Sequence, residues 1–491
     1  MATTSSIESA KAAEAAGSGD AAGPAGLAVA GQAKARARAV AWPAWEVVAL
    51  AAVTGLGLAL RASSYAQAPP FLDNADELNW AWGGLNLILR HDAYTWSYFS
   101  AYPMHTTISA YGTTFPMVHH WLDHPPLFSL VVGGWLWLLG VRDMLAVTPE
   151  QVRVLPVAFS TLTIPLSYLV GRRALGRLPA LCGVALLATA PGAVLLGRVT
   201  EAESLLAVLL LAAALACARI VDGPAGRRWA LLLLGCCVVA PLLKVPGLAV
   251  AGICAVVLAA AGRWRLAAAA AAAGTLALHL FALYGALVDW PLFLSVQAEQ
   301  ASRRTGMMAG LAFIADPSGV NRRLEDGWWL LGWLGLAVIA ARGRRPAPLL
   351  VAWPAIAYAA VMMLVAGETE VGQYGWYRII VYPEVYLAAG WLAWEAVSRR
   401  SPALVMALLV LGGATATNWW LGGPTASWVP SPVLFCVLVA VVVGPTILAT
   451  WRGGDPLVQR AAMAVAGATL AVLVLGNAIE SLRLDLIYAR L

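Results

Sequence analysis

The feature that most constrains this chain is a series of long apolar windows between residues 44 and 478. A helix needs about 20 mostly apolar residues to cross a bilayer, because lipid offers no partners to backbone polar groups. Thirteen such windows are predicted, at residues 44–62, 153–171, 177–196, 203–219, 229–243, 247–262, 266–286, 327–341, 347–366, 378–396, 403–421, 431–450 and 460–478. The predicted fold class is therefore an all-α polytopic membrane protein with about 13 transmembrane helices.

Composition supports this prediction and excludes other classes. Hydrophobic residues make up 60% of the 491 residues and charged residues only 12%, against about 25% charged in soluble domains. The net charge of +6 is explained by basic loops that anchor a membrane protein on its cytoplasmic side, so no nucleic-acid partner is expected. The six cysteines all lie in apolar runs, where they are predicted to pack as small buried side chains without a disulfide.

Arginine clusters predict the orientation of the chain. Residues 1–42 read as a disordered cytoplasmic tail, followed by an uncleaved signal anchor. If residues 125–140 form an interfacial or re-entrant helix that does not cross the bilayer, the short arginine-rich loops all fall on the cytoplasmic side, as the positive-inside rule requires. These clusters are Arg172/Arg173/Arg177, Arg219/Arg227/Arg228, Arg263/Arg265, Arg342/Arg344/Arg345, Arg399/Arg400 and Arg452/Arg460. The protein is accordingly predicted in a bacterial plasma (inner) membrane, with its N-terminus cytoplasmic.

On this topology two long external loops, residues 63–152 and 287–326, hold the candidate chemistry. The sharpest motif is LDNADELNW, which places Asp73, Asp76 and Glu77 shortly after the first span. On one short helix Asp73 and Asp76 would share a face, so one carboxylate could act as general base while another binds a metal or an acceptor. The alternative is an N-terminal cap, in which Asp73 or Asn74 closes the first turn of a surface helix.

A second motif, WLDHPPLF, places Asp123 and His124 before two prolines that predict the start of an interfacial helix. The group His119, His120, Asp123 and His124 could supply metal ligands at this spacing. Glu77 and His124 are a further possible pair of ligands. The alternative is a solvated histidine cluster at the lipid surface. No cofactor is required by the sequence, and a divalent metal stays an open expectation.

Basic residues at the predicted external helix ends form the third group. They are Arg198 near Glu201 and Glu203, Lys244 in PLLKVPGL, Arg303 beside Arg304, and Arg378 in GWYRIIVYPEVY. Lys244 is flanked by apolar helix and must therefore pair with an anion or extend to the surface. As a set these residues resemble clamps for an anionic head group whose tail stays in lipid. Pairing to nearby glutamates, or contact with ordinary lipid head groups, is the alternative.

In order and spacing these motifs resemble the GT-C glycosyltransferases that use polyprenyl-phosphate sugars, in the branch of protein O-mannosyltransferases and aminoarabinose transferases. The resemblance spans most of residues 44–400. It consists of Asp76-Glu77, HPPL at residues 124–127, RVLP from Arg153 leading to GRRALG, RVTEAESLL from Arg198, Lys244, and the Tyr377-Arg378 and Tyr382-Pro383 pattern.

The resemblance implies a GT-C-type bundle with juxtamembrane helices in the first external loop, and an inverting transfer of a sugar from a polyprenyl-phosphate carrier. It implies that Asp76 is the general base and that Glu77 orients Asp76 or the acceptor. Lys244, Arg378 and Tyr377 would hold the donor phosphate. Further residues are expected to shape the substrate site or a metal: His124, Asp123, Arg198, Glu203 and Arg303. The family usually has Asp where this chain has Glu203.

The expected partners are the lipid bilayer, a polyprenyl-phosphate-linked sugar and an extracytoplasmic glycan, glycolipid or protein acceptor. In domain terms, a catalytic transmembrane module spans residues 43–400, and residues 401–491 add C-terminal transmembrane helices. The competing prediction is a lipid-linked sugar flippase or transporter, which would also need many spans and intramembrane charges. Transporters usually show paired repeats and broken helices with midplane polar residues. This chain instead places its acids in predicted external loops.

Overall fold

The computed structural model describes residues 42–223, 226–302, 313–314, 327–342, 346–365, 375–415, 432–453 and 455–488. The predicted tail at residues 1–41 and the predicted site residue Arg303 lie outside this description. Contacts divide the chain into a unit Met1–Ala49, whose described residues begin the first long helix, and a unit Leu50–Leu491. The second unit contains every other element.

The described chain is mostly helical, as its apolar windows predict, because a helix satisfies its own backbone groups in lipid. The long first loop holds α2 (Asp76–Arg90), α3 (Leu127–Leu138) and the short α4 (Pro149–Val152). The other helices are α1 (Ala44–Ala62), α5 (Val154–Ala174), α6 (Arg177–Thr189), α7 (Pro191–Leu196), α8 (Ala202–Val221), α9 (Arg227–Leu243), α10 (Leu248–Ala260), α11 (Trp264–Val288), α12 (Trp290–Ser302), α13 (Gly327–Arg342), α14 (Pro346–Val365), α15 (Tyr382–Arg399), α16 (Pro402–Ala407), α17 (Pro432–Trp451), α18 (Pro456–Leu482) and α19 (Leu484–Tyr488).

Each of the thirteen predicted windows coincides with helical structure. Five helical segments among the described residues are long and apolar enough to cross a membrane by length and composition: Ala44–Ala62, Pro149–Ala174, Ala202–Val221, Trp264–Val288 and Pro456–Leu482. Within the described residues, six further windows fall on shorter apolar helices. The windows 229–243 and 378–396 fall on α9 and on a 3-10 segment followed by α15. The chain is thus a membrane protein of the predicted all-α class.

The first loop also holds a three-stranded antiparallel sheet that sequence analysis did not predict. Its strands are β1 (Thr95–Trp96), β2 (Thr106–Ala110) and β3 (Thr113–Val118), with β3 in the centre. Ile108 faces Phe115 across the β2–β3 hairpin. The turn consists of Tyr111 and Gly112, both with positive φ (52° and 78°), the backbone that a two-residue hairpin of type I′ needs. The alternating sequence on both sides of Gly112 was the available signal.

Helices α2 and α3 pack directly against each other through glycine. A Cβ added at Gly84 would lie 1.7 Å from the carbonyl oxygen of Ser129, and one at Gly133 would lie 2.2 Å from the carbonyl carbon of Gly84. Only residues without a side chain permit two helix backbones to approach this closely. With 12 residues, α3 measures about 18 Å, less than the roughly 30 Å of a hydrocarbon core.

Two further arrangements in the bundle place the candidate site. Helices α8 and α9 form an antiparallel hairpin, so the start of α8 and the end of α9 lie at the same end. Helix α15 packs between α6 and α13, where Gly390 meets Gly183 and Gly332 meets Val385. A 3-10 segment, Gly375–Val381, leads into α15 and contacts α8. Residues from α8, the end of α9 and this segment therefore converge.

Candidate active site

Asp76 is the first residue of α2 and is half-buried. The preceding 3-10 turn, Phe71–Asn74, ends with Asn74, whose Oδ1 accepts a hydrogen bond from the Asp76 backbone N–H at 3.2 Å. The predicted N-cap by Asp73 or Asn74 is not formed, because Ala75 occupies the N-cap position of α2 and Asn74 bonds the Asp76 N–H from the preceding turn. Asp73 lies on the preceding turn and not on α2, so the two aspartates do not form the shared helix face that their spacing suggested. Partial burial raises the pKa of Asp73, although Arg153 opposes the shift.

Glu77 lies beside Asp76 but in a different environment, because it is completely buried. Its Oε1 accepts from Nη2 of Arg153 at 2.6 Å, and its Oε2 accepts from Nε of Arg153 at 3.0 Å and from the Thr200 backbone N–H at 2.9 Å. Both carboxylate oxygens are therefore occupied inside the protein. Glu77 ties the first turn of α2 to the start of α5 and to the segment before α8.

Buried arginines hold the chain between α1 and α2. Arg153 donates to the carbonyl oxygens of Tyr65 at 3.1 Å and Pro69 at 2.6 Å. Arg198 donates to the carbonyl oxygens of Ala68 at 3.2 Å and Leu60 at 2.7 Å. Burial, with the nearby guanidinium charges, lowers the pKa of Arg198 to about 9. Arg198 therefore positions the segment that leads to Asp76 through its hydrogen bonds to these carbonyl groups.

Lys244, at the end of α9, lies between two carboxylates at the start of α8. Its Nζ is 2.7 Å from Oε1 of Glu203 and 3.5 Å from Oε2 of Glu201. All three side chains are at least 97% buried, with exposures of 3%, 0% and 0%. Burial opposes the ammonium charge, but the two carboxylates outweigh it and raise the pKa of Lys244 above its ordinary value. The predicted pairing of Lys244 with an anion is thus met within the protein.

Glu201 connects Lys244 and Glu203 to α2. This role of Glu201 was not predicted from the sequence. Its Oε1 accepts from Nδ2 of Asn74 at 2.8 Å and its Oε2 accepts from Nε1 of Trp80 at 3.0 Å. Burial raises the pKa of Glu201 to about 7, and nearby Asp76 adds to the shift, while Lys244 opposes it. The signal in the sequence was the spacing of Glu201 and Glu203, two acids directly before an apolar run.

Tyr377 and Arg378 enter from the 3-10 segment before α15. The Lys244 ammonium lies 4.8 Å from the ring centre of Tyr377 and 5.8 Å from that of Trp80, distances at which a cation is attracted to an aromatic face. Arg378 is 2% exposed, and its guanidinium lies 5.2 Å from the ring centre of Trp329. Tyr377 therefore lies beside Lys244 and its two glutamates, and Arg378 is buried in the adjacent turn.

Asp123 and His124 occupy different roles in the first loop. Asp123 accepts from the Ser97 hydroxyl at 2.9 Å and from the Tyr102 hydroxyl at 2.5 Å, so it closes the segment after β1. Burial and the Asp123 charge raise the pKa of Tyr102. The imidazole of His124 stacks on the indole of Trp80, with ring centres 5.1 Å apart. Trp80, which donates to Glu201, therefore lies between His124 and Glu201.

The predicted metal ligands do not form a ligand set in this arrangement. Both oxygens of Glu77 are occupied by Arg153 and a backbone N–H. His124 is stacked on an indole. Among the described ranges, the structure contains no group of three or more His, Cys, Asp or Glu residues placed to hold a metal ion. Glu77 and His124 therefore do not belong to such a group within the described ranges, and metal dependence stays a prediction of the sequence.

Helix α12, at the start of the second long loop, binds the first loop. One carboxylate of Glu299 accepts from the backbone N–H groups of Ser100 at 3.1 Å and Ala101 at 2.7 Å. Gln297 donates to the carbonyl oxygen of Leu122 at 2.8 Å. Sequence analysis did not identify these contacts, because paired polar residues on a loop helix do not reveal their partners. Glu299 thus holds the segment after β1, and Gln297 holds the residue directly before Asp123.

Comparisons with known proteins bear on the fold and on the family resemblance. Residues 123–285 match the sequence profile of a family described as dolichyl-phosphate-mannose-protein mannosyltransferase. The structure of ArnT from Cupriavidus metallidurans bound to undecaprenyl phosphate aligns with a TM-score of 0.55 at 16% identity, over 91% of this chain and 78% of ArnT. The apo form of the same protein gives 0.53 at 17% identity, over 89% and 77%. No curated protein sequence matches the chain. The predicted fold class and the predicted resemblance are confirmed.

Proposed function

We infer that the chain is a GT-C glycosyltransferase of the type that uses polyprenyl-phosphate sugars, since the family match over residues 123–285 and the fold shared with ArnT support the same class. It transfers a sugar from a lipid-phosphate carrier to an acceptor. The match covers α3 to α11 and includes His124, Arg153, the two glutamates of α8 and Lys244. ArnT binds undecaprenyl phosphate in its structure, and a polyprenyl phosphate is the carrier proposed for this chain.

One observation carries the proposal: a series of hydrogen bonds runs from the start of α2, where the half-buried Asp76 lies, to the buried Lys244 ammonium. Asn74 accepts from the Asp76 backbone N–H at 3.2 Å and donates to Glu201 at 2.8 Å, and Glu201 contacts Lys244 at 3.5 Å. A base near an acceptor and a cation near a leaving phosphate are the two groups that an inverting sugar transfer needs. Asn74 and Trp80 fix the connection by their hydrogen bonds to Glu201.

The proposed reaction is a single displacement at the anomeric carbon. The Asp76 carboxylate takes the proton of the acceptor hydroxyl, and the hydroxyl oxygen forms the new bond to the sugar. The bond between the anomeric carbon and the phosphate oxygen breaks, and its electron pair leaves with the carrier phosphate. Because attack and departure occur on opposite faces of the sugar, the configuration inverts. Lys244 and Arg378 stabilise the charge on the departing phosphate, with Tyr377 beside them.

The other predicted residues support this geometry from outside the reacting atoms. Glu77 orients Asp76, because its pairing with Arg153 fixes the first turn of α2. Arg198 also helps to orient Asp76, because it binds carbonyl groups of Leu60 and Ala68 ahead of α2. Asp123 and His124 shape the sugar side of the site through the first loop. Arg303 lies outside the described residues, and its role in shaping the substrate site stays a prediction of the sequence.

The aromatic residues next to the base are suited to a sugar. Trp80 is fully buried and contacts His124 on one face, and Trp121 packs edge-on against the same indole with ring centres 5.4 Å apart. Sites for small ligands combine aromatic walls with a few polar groups that set orientation. The sugar is a mannose, arabinose, galactose or amino sugar, and the acceptor is a glycan, a glycolipid or a protein.

The proposed location is the plasma membrane of a bacterium, with the N-terminus in the cytoplasm and the active site on the extracytoplasmic face. This orientation is supported by the arginine-rich short loops at the ends of α5, α8 and α10, which the positive-inside rule assigns to the cytoplasm. The long loop with Asp76 and the turn with Lys244 then lie on the opposite side. A lipid-linked sugar can reach such a site from within the bilayer.

The test of the proposal is release of free polyprenyl phosphate by the full chain in nanodiscs, with a panel of polyprenyl-phosphate sugars and a cell-envelope acceptor extract. Release that depends on one sugar and on acceptor is expected. Asp76→Asn should lower the turnover number by about 10²–10⁴-fold, because general base catalysis contributes about that much, while donor binding is unchanged. Asp73→Asn is the matched control, since Asp73 lies one turn earlier and more exposed.

Turnover of Asp76→Asn within a few fold of the wild type would remove Asp76 from its role. A well-folded protein that releases no carrier phosphate from any donor would contradict the proposed reaction. Movement of intact donor between leaflets, measured in the same preparation, would then favour the flippase alternative.

A further inference from the structure

The Lys244 ammonium has all of its directions occupied before any donor arrives. An ammonium group carries three N–H donors. In the structure Nζ lies 2.7 Å from Oε1 of Glu203 and 3.5 Å from Oε2 of Glu201, and it lies 4.8 Å from the ring centre of Tyr377. The side chain is 3% exposed. The charge of Lys244 is therefore already balanced by protein carboxylates before a donor phosphate arrives.

The charges around Lys244 oppose an incoming anion. One ammonium lies between two buried carboxylates, and Asp76 adds a further negative charge nearby. A sugar phosphodiester brings another negative charge into the same buried space. Charges in a buried site are poorly screened by solvent and salt. Neutralising one carboxylate would reduce the net negative charge of these four groups by half.

The two glutamates differ in how completely their oxygens are bonded. Glu201 accepts from Asn74 and Trp80, one on each oxygen, in addition to Lys244. Glu203 accepts from Lys244 on Oε1 only, and its buried Oε2 has no hydrogen-bond partner within the described part of the chain. Since hydrogen bonds to an ionised carboxylate favour the ionised form, Glu203 is the better place for a proton.

A proton on Oε2 of Glu203 would remove one negative charge from the site. It would also give this buried oxygen a hydrogen to donate. Oε1 would still accept from Lys244, so the pair would stay in contact, but the ammonium would no longer be neutralised by Glu203. The new O–H group would donate to a phosphate oxygen, which supplies the missing partner. The titratable groups that interact with Glu203 are Glu201 before α8, Lys244 after α9 and Tyr358 on α14. Asp76 on α2 interacts with Glu201, and Tyr377 before α15 interacts with Lys244.

We propose that the donor phosphate binds together with one proton, which is taken from solvent and carried on Oε2 of Glu203. Glu203 is then a positioning residue that keeps Lys244 paired in the donor-free enzyme and releases its charge to the phosphate on binding. This inference rests on the proposed function, since it concerns the same donor site. It predicts that donor affinity falls as the pH rises.

The test measures binding of undecaprenyl methyl phosphate to the full chain in nanodiscs between about pH 5.5 and about pH 8.5. This probe is a phosphodiester like the donor, so it has no second phosphate ionisation near pH 6. Above the pH at which Glu203 loses its proton, linkage requires Kd to rise about tenfold per pH unit. Calorimetry in two buffers of different ionisation enthalpy counts the protons directly, and uptake approaching one per bound probe is expected.

Glu203→Gln mimics the protonated carboxyl and should abolish the pH dependence of Kd. At about pH 8.5 this variant should bind the probe at least about tenfold more tightly than the wild type, because it needs no proton. Glu395→Gln is the matched control: Glu395 pairs with Arg399 at the far end of α15, and its pH dependence should equal that of the wild type. A role in folding alone would not remove the pH dependence.

Several outcomes would overturn the proposal. They are a Kd of the wild type that does not change with pH, proton uptake near zero, or a Glu203→Gln variant that keeps the wild-type slope. If Glu203→Gln does not fold, the proton count on the wild-type chain decides. Binding that is tight but independent of pH would sink this inference and leave the proposed function intact. A probe that binds at no pH would instead contradict the donor site itself.

Discussion

Two neighbouring carboxylates of one motif have opposite environments. Asp76 is half-buried at the start of α2, whereas Glu77 is 0% exposed and bonded at both oxygens. The sequence places the two acids side by side but does not indicate which one stays available for chemistry. The partner that decides this, Arg153, lies 76 residues further along the chain. Glu77, which forms the buried ion pair, therefore positions the start of α2, and Asp76 is the proposed base.

At the scale of the single residue, we predict that Glu77→Gln destabilises the protein by about 3–5 kcal/mol, because it leaves Arg153 buried without its counter-charge. Thermal unfolding of the purified protein in detergent measures this loss. Asp73→Asn should stay within about 0.5 kcal/mol of the wild type, as expected of a more exposed side chain. An unfolding midpoint of Glu77→Gln equal to that of the wild type would show that the pair contributes nothing to the fold.

The elements of the first loop are positioned by contacts that no single motif reveals. Helix α2 carries Asp76 and packs on α3 through Gly84 and Gly133, and α12 holds the segment between them through Glu299. The predicted juxtamembrane helices are present, but the sheet between them was missed because β1 has only two residues and β2 and β3 are five and six long. Strands this short depend on their neighbours, so their propensity is a weak guide.

At the scale of the element, two adjacent glycines of α3 provide a matched pair. A Cβ at Gly133 would lie 2.2 Å from the backbone of Gly84, whereas a Cβ at Gly134 has nothing within 4 Å. Gly133→Ala should therefore destabilise the protein by about 1–3 kcal/mol through overpacking and lower turnover by displacing α2. Gly134→Ala should be neutral or stabilising by up to about 1 kcal/mol, from helix propensity. Equal effects of the two substitutions on unfolding and turnover would disprove the proposed packing role.

The whole molecule combines apolar helices with a polar site at one end of the bundle. Glu201, Glu203 and Lys244 come from the α8–α9 hairpin, Tyr377 from the segment before α15, and Asp76 from the first loop. Regions far apart in the chain thus supply one site. The proposed orientation places this end outside the cytoplasm.

At the scale of the whole molecule, cysteine labelling tests the orientation in intact cells. Cys436 is exposed and is first replaced by serine, since the other cysteines are buried or half-buried. Met104→Cys, at a position 81% exposed in the first loop, should react with an impermeant thiol reagent added outside. Gly226→Cys, in the loop before α9 with open space around it, should react only after the cells are opened. The reverse pattern would invert the proposed topology.

The sequence by itself determined the membrane class, the positions of the apolar helices and the resemblance to polyprenyl-phosphate glycosyltransferases, because these depend on local hydropathy and on short motifs. It also singled out Asp76, Lys244 and Tyr377 as candidates. The tertiary structure alone shows that Glu77 pairs with Arg153. It alone shows that Glu201 connects Asn74, beside Asp76, with Lys244. The reason is physical: the role of a buried charge is set by its partners, and those partners come from distant parts of the chain.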